Sequence, residues 1–233
     1  MSPITVGPTA SQATRGRRLA ALVVLAVAVI GLTSLLPSVA AAATQEDKTQ
    51  FSVAAGSLSF STSPALPTLG AVTLNGAAQT TNSTMTNIGV ADSTGSGSGW
   101  NVTVEGQTGT GKSAVFAAYC PKAKCGAESE GYVGGGATLA ANSLSLNSTG
   151  ASFSALGGTT GTAPTLQCST ACNVDHASAV KIISAAKEAG MGTYLTTGFT
   201  ATSLALSTPT TLKVLPNEEV YRANLLWTLS TGP

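Results

Sequence analysis

Charged side chains are scarce in this chain. Lysine, arginine, aspartate and glutamate make up 9% of its 233 residues, whereas hydrophobic residues make up 43%. A disordered chain normally carries more charge and fewer apolar residues, so this composition favours a folded domain. Eleven basic residues against ten acidic ones leave almost no positive excess. Binding to nucleic acid requires a basic surface that neutralises phosphates, and the composition argues against that function.

Histidine is scarcer still, which limits the catalytic chemistry that can be assembled. The only histidine is His176, next to Asp175. No Gly-x-Ser-x-Gly sequence marks a nucleophilic serine. The close carboxylate pairs, at 46–47, 128–130 and 218–219, lie in segments predicted to be tail, loop or turn. We therefore predict a protein that is not an enzyme and has no cofactor or bound metal, with Asp175 and His176 solvated or capping a helix.

The N-terminal residues have the pattern of an export signal. Arg15, Arg17 and Arg18 precede an apolar run at 19–36, and small residues follow at 38–43. This order is typical of a secretory signal peptide, so we predict one over 1–43 and no membrane span after its cleavage. The alternative is a retained anchor, because about 18 apolar residues approach the length that crosses a bilayer.

Cleavage would leave residues 44–233 as the mature chain. The signal peptide contains three of the eleven basic residues, so eight remain against ten acidic ones and the net charge becomes −2. The remaining length suffices for one domain with a sizeable core.

The four cysteines form two close pairs in the sequence, Cys120 with Cys125 and Cys168 with Cys172. Export to an oxidising compartment favours disulfides, and four cysteines allow three pairings. We predict the two local bridges, each closing a short loop. A zinc site is the alternative, but the spacings differ from the usual two-residue gap and His176 is the only imidazole.

Short alternating runs separated by turn residues recur along the chain. The predicted strands are 51–53, 58–60, 71–75, 100–105, 143–146, 203–206, 211–215 and 220–230. One short helix could follow Asp175 and end at Gly190, although 180–183 could equally form a strand. The pattern predicts an all-β fold, either an antiparallel β-sandwich or a partly open barrel, with at most one short helix.

The final strand carries the clearest alternation. One face contains Tyr221, Ala223, Leu225, Trp227 and Leu229, and the other is mixed. Such a strand is suited to half-burial against a core.

This ending resembles the closing motif of the WxL domain, a bacterial cell-surface module named for Trp-x-Leu. Trp227 and Leu229 match that motif, and Trp100 and Val102 match the upstream one, after a glycine-rich approach over 92–99. Valine stands at 102 where the family name has leucine. The segments 51–60 and 190–194 also resemble family segments, so the resemblance covers 48–233.

The resemblance implies a secreted, non-catalytic protein held noncovalently on the bacterial cell wall, with peptidoglycan as ligand and other surface proteins as partners. The two motifs, Trp100 with Val102 and Trp227 with Leu229, would be the binding residues. The alternative function is a structural or adhesive subunit that binds proteins rather than glycan. Each tryptophan can either pack in the core or present its ring to a sugar.

Residues 106–113 match the phosphate-binding P-loop pattern, with Lys112 and Ser113 at its end. No alternating strands and helices accompany it, and Cys120 and Pro121 follow closely. We interpret it as a polar hairpin loop.

Overall fold

The computed structural model describes residues 48–126 and 129–233 of the chain. The predicted signal peptide lies outside the described residues. Fifteen strands and one four-residue helix form the described part. In chain order they are β1 (Leu58–Thr62), β2 (Gln79–Ser83), β3 (Gly89–Asp92), β4 (Trp100–Gly106), β5 (Ala117–Cys120), α1 (Lys122–Cys125), β6 (Gly131–Tyr132), β7 (Leu144–Leu146), β8 (Ser152–Leu156), β9 (Thr165–Leu166), β10 (Cys172–Asn173), β11 (Val180–Ala185), β12 (Gly192–Thr197), β13 (Leu204–Thr208), β14 (Val220–Arg222) and β15 (Leu225–Thr231).

These strands form four sheets. Sheet A has the order β1-β3-β12-β8, sheet B the order β10-β7-β13-β2, sheet C the order β15-β4-β11-β9, and sheet D the order β14-β5-β6. The paired strands of all four sheets run antiparallel. The prediction of an all-β, antiparallel fold with one short helix is confirmed, and the packed sheets are consistent with a β-sandwich.

The core is built from strands in which every second residue is apolar and faces inward. In β4, buried residues alternate with partly exposed ones over its full length, so Trp100, Val102 and Val104 face inward. Leu144 and Leu146 of β7 and the leucines of β13 do the same from sheet B. Alternate side chains of a strand point to opposite faces, so these inner faces meet in one apolar cluster.

The segment after Asp175 is a strand and not a helix. It is β11, which pairs with β4 on one side and β9 on the other. The register shifts between Lys181 and Ile183, and both Ile182 and Ile183 are buried. A bulge inserts one extra residue and so breaks the strict alternation, which explains why the sequence left helix and strand equally open.

Three predicted strands are absent at their expected places. Among the described residues the first strand begins at Leu58, and Phe51, whose side chain is 91% exposed, lies outside any strand. Segments 71–75 and 211–215 contain no strand, and both lie along a groove described below. Within the described residues, no helix is long and apolar enough to span a membrane.

Candidate functional site

Trp100 begins β4 and lies entirely inside the core. Its side chain has no exposed surface. The indole Nε1 donates a hydrogen bond to the backbone oxygen of Gly190 over 3.0 Å, so the one polar atom of the ring has a partner. In this arrangement Trp100 stabilises the fold and has no free ring face on which a sugar could stack.

The close contact with the indole ring of Trp100 explains why residue 190 is a glycine. Its φ is +73°, and a Cβ atom at this position would lie 2.7 Å from Nε1 of Trp100 and 2.5 Å from the Cβ of Ala185. Both the left-handed backbone and the close approach of the ring require glycine. The sequence drew attention to 190–194 as a segment, but it did not show that Gly190 contacts the first tryptophan.

The second motif lies on the neighbouring strand of the same sheet. Trp227 of β15 is directly opposite Val104 of β4, and Leu229 is directly opposite Val102. Trp227 and Leu229 are partly buried and pack against the core cluster. The two motifs, far apart in sequence, are therefore cross-strand neighbours in sheet C.

The middle residues of both motifs face the other way. Asn101 and Thr228 alternate with the inward side chains and lie on the outer face of sheet C. Asn101 Nδ2 donates to the backbone oxygen of Gly232 over 2.7 Å, and Ser230 Oγ donates to Asn101 Oδ1 over 3.3 Å. This attaches the end of β15 to β4 through side chains as well as through the backbone.

The glycine-rich approach to Trp100 forms a hydrogen-bonded chain of hydroxyls. Thr94 Oγ1 donates to Asp92 Oδ1 over 2.7 Å, and 2.9 Å separates Thr94 Oγ1 from Ser96 Oγ and Ser96 Oγ from Ser98 Oγ. The backbone oxygen of Gly97 accepts the N–H of residue 188. These contacts fix the loop at the edge of the first motif.

Asp175 has a structural role that differs from the predicted one. The residue is buried, and its carboxylate accepts the backbone N–H groups of Ser143 at 2.9 Å and Leu144 at 3.0 Å. Burial raises the pKa of this carboxyl group, and the two hydrogen bonds oppose the shift without cancelling it. The expectation of a solvated or helix-capping aspartate is wrong, because the carboxylate instead holds the start of β7.

His176 makes backbone contacts through both its ring and its carbonyl oxygen. Its ring Nδ1 accepts the backbone N–H of Ser178 over 3.2 Å, and its backbone oxygen accepts the N–H of Gly106 over 2.6 Å. Within residues 48–126 and 129–233, no group of three or more His, Cys, Asp and Glu side chains lies close enough to hold a metal ion.

The cysteines lie at disulfide distance in the two predicted local pairs. The Cα atoms of Cys120 and Cys125 are 5.9 Å apart, and those of Cys168 and Cys172 are 5.4 Å apart. The first bridge encloses α1, and the second joins β10 to the loop before it.

The P-loop-like segment connects two sheets and is not a hairpin. It leaves β4 of sheet C and enters β5 of sheet D, where no phosphate-binding helix follows. Ser113 Oγ donates to the backbone oxygen of Val115 over 2.7 Å, and the backbone N–H of Lys112 closes a turn on Gly109. The prediction of a loop without a nucleotide-binding helix agrees with this path, but the predicted hairpin pairing is wrong.

An apolar groove of about 770 Å³ opens beside sheet B. Irregular segments 66–72 and 212–215 form two of its walls, and β14 contributes to the rim. Its floor consists of core residues that include Leu144, Leu204 and Leu206. Val214 on the rim is 81% exposed.

A polar aromatic cluster covers sheet D. The rings of Tyr119 and Tyr132 meet edge to face at 5.1 Å, and the guanidinium of Arg222 lies 3.6 Å from the centre of the Tyr119 ring. Tyr132 donates to Asn224 Oδ1 over 2.6 Å. Burial raises the pKa of Tyr132 from its ordinary value of 10.0, which further favours the protonated hydroxyl that donates this hydrogen bond.

Comparison with protein-family models gives one decisive result. The WxL model, described as a WxL domain for surface cell-wall binding, matches residues 41–233. The chain belongs to the WxL family. Comparisons with curated proteins and with solved structures find no match.

The WxL match spans both tryptophan motifs and the four cysteines, and it makes this a domain of the cell surface that binds the cell wall. The WxL motifs themselves are brought together by the structure on β4 and β15. Within each motif, the apolar residues face the core and the middle residue faces outward. A role of Trp100, Val102, Trp227 and Leu229 in binding stays a prediction.

Proposed function

We propose that this WxL protein is secreted, is not an enzyme, and attaches noncovalently to the bacterial cell wall with peptidoglycan as its ligand. The observation that carries the proposal is the family match over 41–233, a surface domain that binds the cell wall. Two cysteine pairs at disulfide distance support secretion, because such bridges persist in oxidising compartments.

The motif residues support this function by fixing sheet C, and they do not need to touch the ligand themselves. Trp100 and Val102 have no exposed surface, so their contribution is the position of β4. Trp227 and Leu229 pack β15 against that strand. A surface that binds a stiff polymer gains affinity when its strands are held rigidly before binding.

A second candidate function is that of an adhesive or structural subunit that binds other surface proteins. The apolar groove beside sheet B favours it, because Val214 and Val220 remain exposed at its rim. Exposed apolar surface lined by polar residues is typical of protein interaction sites.

Sedimentation with cell walls separates the two candidates. The secreted chain, residues 44–233 on the predicted cleavage, would be mixed with bacterial walls stripped of protein and with unstripped walls. Retention on stripped walls that is reversed by denaturant supports noncovalent wall binding. Retention on unstripped walls alone supports the protein-binding candidate, and a folded chain that stays in solution with both contradicts the proposal.

A further inference from the structure

The outer face of sheet C carries an unbroken row of polar side chains across its four strands. Ser230 of β15 lies opposite Asn101 of β4, Asn101 lies opposite Ser184 of β11, and Ser184 lies opposite Thr165 of β9. Residues directly opposite each other in a sheet share a face. The row is therefore continuous from one edge of the sheet to the other.

A second row runs parallel to the first. Thr228 of β15 lies opposite Thr103 of β4, and Thr103 lies opposite Lys181 of β11. Strands are roughly 4.8 Å apart and residues i and i+2 are roughly 6.6 Å apart along a strand. The two rows thus form a grid of hydroxyl groups and one amide, with the cation of Lys181 at its margin.

Several groups of this grid are available to a ligand. Thr103 and Ser184 are partly exposed and Thr228 is exposed, and among the described residues no hydrogen bond joins their hydroxyls to protein. Asn101 is held in place by Gly232 and Ser230, which fixes the orientation of its amide. Because Asn101 at the centre of the grid is already fixed, a polymer can replace the water bound to the free hydroxyls with little further loss of side-chain entropy.

The other two large sheets lack this pattern. In sheet B the corresponding row passes from Ser145 to Ala205 to Asn82, so it is interrupted by an apolar residue. In sheet A, Leu156 and Leu195 interrupt the rows themselves, opposite Thr193 and Ser154. The exposed Leu226 of sheet C lies beyond its two polar rows, opposite Glu105. Sheet C is also the sheet that both WxL motifs build, and their middle residues, Asn101 and Thr228, belong to the two rows.

We infer that the outer face of sheet C binds the glycan strands of the cell wall, with the two polar rows as the contact surface. The inference rests on the proposed wall attachment and names its surface. Rows of neutral hydroxyl and amide groups match a polymer whose own surface is hydroxyls and amides, since each group can both donate and accept. The grid offers no concentration of positive charge that would select an anionic polymer instead.

The test removes hydroxyls without changing shape. A Thr103→Val, Ser184→Ala, Thr228→Val variant deletes three hydroxyls of sheet C. The matched control is Thr80→Val, Ser145→Ala, Ser207→Ala, which deletes three hydroxyls from the outer face of sheet B. Thermal unfolding of both variants checks that each remains folded.

Sedimentation would use protein-stripped walls and glycan strands freed of their stem peptides by an amidase. We expect the sheet C variant to bind both preparations about tenfold or more weakly, because several hydrogen bonds of modest net energy are lost together, and we expect the control to bind like the wild type. If both variants are retained equally, the inference about sheet C is wrong but wall attachment still stands. The same holds if the wild type binds protein-stripped walls but not the peptide-free glycan strands. Failure of the wild type to bind stripped walls contradicts the proposed function itself.

Discussion

Two buried residues, Gly190 and Asp175, show how single contacts between distant parts of the chain hold this fold together. Gly190 receives the indole N–H of Trp100 on its backbone oxygen, and the same ring leaves no room for a side chain. Asp175 accepts the backbone N–H groups of Ser143 and Leu144, the residues just before and at the start of β7. Neither role follows from a local pattern, because each depends on residues distant in sequence.

Replacing Gly190 by alanine should lower the free energy of unfolding sharply. The new Cβ would meet Trp100 and Ala185 at distances that side chains do not tolerate, and φ is positive. Gly95→Ala is the matched control, since its φ is +67° but nothing lies within 4 Å. Urea denaturation should show a loss of about 1 kcal/mol for the control and about 2 kcal/mol or more beyond that for Gly190→Ala. Equal losses of stability in the two variants would show that the contact between the new Cβ and the Trp100 ring does not destabilise the fold.

The buried carboxyl of Asp175 gives stability a defined pH dependence. Its pKa is raised in the folded state, so the folded chain holds this proton more tightly than the unfolded chain does. Its contribution is therefore fully present at low pH and is lost as pH rises above the ordinary value of 3.8 through the folded pKa. Asp175→Asn removes the titration. We expect the stability of the wild type relative to this variant to be greatest in acid and to fall as pH rises, measured by urea denaturation at a series of pH values. A relative stability that grew with pH would contradict the assignment.

At the scale of strands, the sequence predicted those elements whose alternation is undisturbed. β4, β7, β13 and β15 were recognisable because apolar residues recur at every second position and pack on one core. β11 was ambiguous because its bulge places two isoleucines inward in succession. The runs 71–75 and 211–215 also alternate but find no strand to pair with, and pairing is a property of the whole fold.

The site was predictable to a similar degree. The sequence indicated both tryptophan motifs, but it could not show that they would be cross-strand neighbours. It also could not show which tryptophan would be fully buried. The pairing of the motifs and the burial of Trp100 both depend on contacts between distant segments, such as Asn101 and Gly232, which are 131 residues apart in the sequence.

Exchanging valine and leucine at the third position of each motif should affect the two motifs differently. Val102 has no exposed surface, so Val102→Leu adds a methylene to a filled core even though it restores the residue for which the family is named. We expect it to destabilise the fold by about 1–3 kcal/mol. Leu229→Val is the matched control on the half-buried strand β15 and should cost less than about 1.5 kcal/mol. Chemical denaturation measures both, and a neutral or stabilising Val102→Leu would show that the core around β4 has spare volume.

For the molecule as a whole, low charge predicts how wall binding responds to salt. On the predicted cleavage after residue 43 the chain would carry eight basic and ten acidic residues, and the polar rows of sheet C contain one charged side chain, Lys181. Binding through such a surface has little electrostatic attraction to screen. We expect sedimentation with stripped walls to change less than about threefold between low salt and 1 M salt. A steep fall in retention with salt would indicate that charged groups, and not the hydroxyl grid, carry the binding.

The place of β15 in sheet C also determines the order in which the molecule can be completed. β4 is an inner strand of that sheet, yet one of its two partners is the last strand of the described chain. Until that strand arrives, β4 has an unpaired edge next to an apolar core. Closure over so long a stretch of chain is slow, since the entropy of a large loop is lost before any contact compensates for it. On the proposed export, β4 would therefore remain open to wrong pairing until β15 has crossed the membrane, so the rate of translocation between these two strands would influence how much of the domain folds correctly.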